Sequence, residues 1–201
     1  MPGGRLRASS GTILLDDETH NDSASLSASI SLMDVADSDL LVNELQVLDH
    51  LVLAKIAAGN KVPLFFRATT LASVEEGLSL LKDAWALKDL ISKKAGDLSA
   101  GQRQILSIAI ALKGEKRALL CDESTAHLDP KNARLFFDLM GLIATQHVLP
   151  IVIVTHDLLH AAEFAKSVYL VSDGKVINLY ADQSKDLANR IRVLEEAFSG
   201  H

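Results

Sequence analysis

The chain has a single cysteine, Cys121, so no disulfide can form within it. That usage fits a reducing compartment better than a cross-linked secreted domain. Aromatics are scarce, at 4% of residues with one tryptophan, so a core must be built from aliphatic side chains. With 48% of residues hydrophobic, there are enough of them to bury a sizeable core. An excess of positive charge is also lacking: 20 Lys and Arg stand against 26 Asp and Glu, a formal net charge of −6. A broad basic surface for non-specific nucleic-acid binding is thereby excluded, and no nucleic-acid partner is expected. Long apolar runs are missing too. Leu149–Val154, LPIVIV, is far shorter than the roughly 18 residues of a membrane-span candidate. The opening MPGGRLRASSG has two arginines but no apolar stretch after them, so it does not read as a secretory signal. No internal repeat or low-complexity linker divides the 201 residues, a length suited to one domain or a domain with a small subdomain.

The patterns that are present read as follows. GTILLD at 11–16 is a short strand ending in an acidic turn, and the polar DDETHNDSAS after it is a loop. Ser29–Val35 alternates partly and fits a strand. Leu45–Ala58 has helical spacing and is stopped by Gly59-Asn60. Helices follow at about 71–88 and over Ser99–Lys113, the latter capped by Asp97 or Ser99. Two unbroken apolar runs, RALLCDE and VLPIVIVTHD, flank the amphipathic KNARLFFDLMGLIATQ. Apolar strands separated by a helix indicate a buried parallel sheet. Asp173-Gly174 between two β-prone runs reads as a hairpin, and a helix over about 185–198 closes the chain.

In open parallel sheets, ligands sit beyond the carboxyl ends of the strands. One strand here ends in Asp122-Glu123, with Asp129 six residues on, and the other in Thr155-His156-Asp157. An acid at a strand tip suits a hydrated Mg²⁺, and a second carboxylate can polarise water. His156 can donate to a phosphoryl oxygen. Alone, Asp122-Glu123 is better explained as a strand ending in a polar loop, and His156 as a core histidine or a surface loop residue. His127, His147 and His160 lack the spacing of a compact zinc motif. The helix start Ser99-Ala100-Gly101-Gln102 offers free N–H groups and positive dipole charge to an anion. An ordinary cap explains Ser99. It does not explain the glycine, which costs helix stability.

Together these pieces resemble the ATP-binding cassette (ABC) ATPase family. LSAGQ is similar to its signature motif and ALLCDE to its Walker B strand. AHLD, Ala126–Asp129, is similar to the D-loop, and His156 to the switch histidine. Order and spacing agree as well, over residues from about 10 to about 180. The resemblance implies an α/β fold: a P-loop-NTPase-like parallel sheet core with a helical subdomain at about 60–113, lacking the first strand and Walker A helix. The whole chain, 1–201, would be one such domain, incomplete at its N-terminus. It implies Asp122 as the Mg²⁺-linked acid, Glu123 as general base and His156 as a further catalytic residue. Ser99, Ala100, Gly101, Gln102 and Asp129 would contact ATP. It also implies a second ABC ATPase subunit and a membrane permease as partners, with a cytoplasmic location peripheral to the membrane.

The departures are specific. No G-x-x-x-x-G-K-[ST] occurs in the sequence; Gly59-Asn60-Lys61 and Gly174-Lys175 lack the following Ser or Thr. Asp37, or Asp34 in a slipped alignment, stands where the family has its Q-loop glutamine, and Ser124 where it usually has proline. Two functions follow as expectations. One is a transporter ATP-binding subunit or fragment that lends Ser99 and Gly101 to a partner's ATP. The other is a catalytically inactive regulatory or scaffold subunit paired with an active ATPase.

Overall fold

A computed structural model of the protein describes residues 10–19, 29–34, 41–57, 90–112, 116–126, 128–146, 148–180 and 186–199. The expected helix at 71–88 and most of the expected helical subdomain lie outside them.

The centre is a parallel sheet of three strands: β3 (Ile30–Asp34), β4 (Ala118–Asp122) and β5 (Ile151–Val154), in the spatial order β3-β4-β5. Asp34 pairs with Asp122, and Asp122 with Val154, so all three strands end level with one another. The register also sorts side chains by face. Met33, Cys121 and Ile153 share one row and one face, and Leu119 and Ile151 share the neighbouring row. This face joins the main core. Helix α1 (Val47–Ala57) supplies Val47 and Leu51 to it, α2 (Ala100–Ala111) supplies Leu106 and Ile108, and α3 (Pro130–Gln146) supplies Phe136 and Ile143. Each such aliphatic side chain contributes about 1.5–3 kcal/mol by leaving water. The opposite face carries Leu32, Leu120, Val152 and Val154, and the two valines of β5 are each 54% exposed.

Two antiparallel hairpins accompany the sheet. In the first, β1 (Leu14–Leu15) pairs with β2 (Glu18–Thr19) across Asp16 and Asp17, whose φ values are 49° and 63°. The sequence reading put Glu18 and Thr19 in a loop. Two aspartates tolerant of positive φ make a tight turn of the primed type, so the chain pairs at once. The second hairpin, β6 (Val168–Ser172) and β7 (Lys175–Tyr180), turns at Asp173 and Gly174 as the sequence indicates, with φ of 50° and 72°.

A short helix, α4 (Leu158–Phe164), follows β5 where the sequence reading placed no element. It and the closing helix α5 (Leu187–Ser199) form a second, smaller cluster around Ala162 and Leu194.

Candidate nucleotide site

Three of the predicted site residues stand at the carboxyl ends of β4 and β5. Asp122 is the last residue of β4 and is exposed. Glu123 follows with φ 48°, a left-handed conformation, and its N–H donates to the Val154 carbonyl at 3.0 Å. That bond fixes the chain across the strand ends. His156 lies two residues beyond β5, and its Nδ1 is 2.9 Å from Glu123 Oε2. The His156 side chain is 72% exposed and that of Glu123 34%. The structure therefore brings Glu123 and His156 into direct contact, with Asp122 adjacent in the chain.

Asp129 serves the start of α3. Its carboxylate accepts from the N–H groups of Lys131 (3.0 Å) and Asn132 (3.1 Å), and from the Asn132 amide. These bonds, those of Asn132 first, hold its carboxyl below the ordinary carboxylate range.

Ser99 caps α2. Its hydroxyl accepts from the Gln102 N–H at 3.3 Å, and Gln102 Oε1 accepts from the Ser99 N–H at 3.0 Å. This reciprocal box settles the choice of cap in favour of Ser99 over Asp97, and gives Gln102 a local structural task. Ala100 is exposed at the first position of the helix. Gly101 is buried, in a cleft between α2 and α3 lined also by Gln104, Leu128, Asn132 and Phe136. The extra glycine of this helix start thus lines a cleft shared by α2 and α3. The cleft also brings the start of α2 next to Leu128 and Asn132, on either side of Asp129.

The sequence reading missed a polar cluster behind β5. Asp157 caps α4 by accepting from the His160 N–H at 3.0 Å, and His160 Nδ1 lies 2.5 Å from the same carboxylate. Burial pushes the Asp157 carboxyl up, but its bonds with His160 outweigh that and hold it below the ordinary range. The His160 ring stacks on Phe137 at 4.6 Å between centroids, and Phe137 stacks in turn on Phe164. No spacing rule pairs residue 160 with residue 137, so this role could not be read from the chain.

For a cation, the exposed carboxylate of Asp122 stands at the tip of β4. No three His, Cys, Asp or Glu side chains among them converge as a metal site. This donor set fits Mg²⁺, which keeps waters and binds through one or two carboxylates and substrate phosphates. It does not fit a closed protein cage.

A parallel sheet with Asp-Glu and Thr-His at adjacent strand ends, and helices packed on one face, defines an α/β domain of the P-loop NTPase class. The chain belongs to the ABC transporter family, whose model matches residues 3–126. It is 35% identical over 137 residues to the phosphonates import ATP-binding protein PhnC 2 of Synechococcus sp. (strain JA-2-3B'a(2-13)), covering 68% of this chain and 51% of that protein. It is 31% identical over 124 residues to the nickel import system ATP-binding protein NikD of Staphylococcus aureus (strain N315), covering 59% of this chain and 48% of that one. The chain therefore spans about half the length of these relatives. Among solved structures, cbiO1 of Clostridium perfringens, part of the ABC transporter complex cbiONQ, matches with TM-score 0.73 and 26% identity, covering 87% of this chain and 67% of that one. An ATP-binding cassette of an ABC transporter in its ADP conformation matches with TM-score 0.73 at 21% identity, covering 98% of this chain and 80% of that one, a likeness of fold. No helix among the described residues is long and apolar enough to cross a membrane.

Proposed function

We propose that the chain works as an ABC transporter ATP-binding subunit, or as a large part of one, coupling ATP binding and hydrolysis to transport. The observation that carries this is the 2.9 Å contact of Glu123 with His156 at the ends of neighbouring parallel strands. In this reading Glu123 polarises the attacking water. The carboxylate accepts, so Nδ1 carries a proton, and Nε2 donates to a phosphoryl oxygen in the doubly protonated ring. Asp122 would hold Mg²⁺, which would supply charge neutralisation on the phosphates. The start of α2, with Ser99 and Gly101, meets the nucleotide of a partner ABC ATPase subunit, and a membrane permease is the further partner. The inactive scaffold reading is weaker, because it leaves the paired Glu123 and His156 without a task.

The 201-residue sequence contains no G-x-x-x-x-G-K-[ST], the pattern of the phosphate-cradling loop. Calorimetry of this chain with ATP and Mg²⁺ is therefore expected to show no tight binding; micromolar affinity would overturn the partner-dependent site. Co-purification from the native host is expected to recover a second ABC ATPase chain and a permease. Recovery of neither would overturn the transporter reading.

A further inference from the structure

The helix start that this functional reading offers to a nucleotide is held in place from a distant part of the chain. Residues 41–48 run beside residues 91–96 and bond to them at successive points. Val47 N–H donates to Lys93 O (3.0 Å), Leu48 N–H to Ile91 O (3.1 Å), Ala95 N–H to Leu45 O (2.9 Å) and Gly96 N–H to Asn43 O (3.0 Å). Gln46 and Lys94 form an isolated antiparallel bridge within this strip. The first side of the strip is itself fixed. Val42 N–H donates to His50 Nε2 at 3.0 Å, so the proton of the neutral ring sits on Nδ1, 2.9 Å from the Gln46 carbonyl. His50 is 7% exposed.

Asn43 is the point where this strip meets α2. Its main-chain carbonyl takes the Gly96 N–H, and its side-chain Oδ1 takes Arg103 Nη1 at 2.9 Å. The same Arg103 nitrogen also donates to Ala95 O at 3.2 Å. Arg103 lies in the first turn of α2, one residue beyond the capping box, with its own N–H on Ser99 O at 2.9 Å. Asn43 and Gly96 touch so closely that a Cβ on Gly96 would lie 3.2 Å from both Asn43 Cβ and Asn43 O. Only glycine fits there without displacing one side of the strip.

We propose that Asn43 is a positioning residue that sets where the Ser99–Arg103 turn sits, by clasping Gly96 through its main chain and Arg103 through its side chain. The functional weight of this placement rests on the reading that the turn meets a partner's nucleotide. The clasp itself does not. Residues 41–46 thus bear on the helix start at Asn43 directly and at Leu45 through Ala95, whose carbonyl also takes Arg103.

Amide hydrogen exchange on the intact chain tests this. Asn43→Ala removes one acceptor of Arg103, leaving the Ala95 carbonyl, and is expected to raise exchange of the Gln102 and Arg103 amides by roughly tenfold, as loss of one hydrogen bond allows. Amides of α3 over Phe136–Ile143 should not change. Asn43→Asp keeps the acceptor and should restore the wild-type rates. Gly96→Ala, which acts on the other contact, should raise exchange at the same amides. Unchanged exchange at Gln102 and Arg103 in both Asn43→Ala and Gly96→Ala would overturn the proposal, and so would an equal rise in α3. If Gly96→Ala does not fold, the two Asn43 variants decide alone. The assay contains no nucleotide, so its outcome is separate from that of the calorimetry.

Discussion

Glu123 holds a backbone conformation that a residue with a Cβ adopts at a cost of roughly 1–2 kcal/mol. Its φ of 48° lets the chain turn as soon as β4 ends, while its N–H stays bonded to β5. Glycine would relieve the strain but would delete the carboxylate that meets His156. One position earlier than Asp122, Cys121 shows the opposite use of a strand. It is 1% exposed, and burial pushes its thiol up to about 12 from 9.0. Only the thiolate attacks disulfide reagents. The folded protein is therefore expected to leave Cys121 unlabelled by an aromatic disulfide reagent at pH 8, and to react fully in denaturant; rapid labelling without denaturant would contradict this. The sign also fixes an alkaline effect. A thiol raised on folding contributes stability below 9.0, and that contribution fades as pH rises from there towards about 12.

Among the helices, one device recurs. Asp129, Asp157 and Asp186 each accept a main-chain N–H three residues on, from Asn132, His160 and Asn189. Each also receives a side-chain bond from that same residue. This Asp-x-x-(Asn or His) box resembles the Ser99–Gln102 box in logic, with a donor side chain returning to the cap. All three carboxyls are held below their ordinary range. Groups lowered on folding contribute stability above the unfolded value, near 3.9, and lose it as pH falls further. Circular-dichroism melts are expected to show a falling melting temperature as pH drops from about 5 to about 2.5. Replacing all three aspartates by asparagine should flatten that dependence. An undiminished acid slope in the triple variant would assign it to other groups. Such caps were partly legible in the sequence: Ser99 stands out before an apolar helix. Helix α4 was not, because its seven residues are too few to show a period. The central strands were legible because parallel strands read as unbroken apolar runs. The pairing of Leu14–Leu15 with Glu18–Thr19 was hidden in a polar stretch whose turn depends on backbone tolerance, not hydropathy. At the site, motif order placed Asp122, Glu123 and His156 on strand ends. The clasp at Asn43 was invisible, since residues 60 positions apart carry no common pattern.

Among the described residues, the central sheet is covered unevenly. Parallel sheets are ordinarily covered on both faces, and here one face is packed while Val152 and Val154 remain exposed on the other. On the second hairpin, Tyr169, Val171 and Val176 are exposed by 56%, 72% and 68%. β5 has a hydrogen-bonded neighbour on one side among the described strands. Exposed apolar strands with a free edge invite pairing with another chain. Light scattering of the purified 201-residue chain is expected to show association that Val152→Thr with Val154→Lys reduces. A monodisperse wild-type monomer would count against an adhesive edge.

Arg117, at the head of β4, gives the first hairpin its anchorage. Its guanidinium reaches Asp16 at 2.6 Å, Glu18 at 2.6 Å and the Leu15 carbonyl at 2.7 Å. The partners lie 99 to 102 residues earlier in the chain. During synthesis at about 5–20 residues per second, the hairpin leaves the ribosome several seconds before its anchor exists. A two-stranded hairpin of this size is marginal by itself. Its attachment thus belongs to the late phase of folding, and the N-terminal end of the described structure is assembled after its middle.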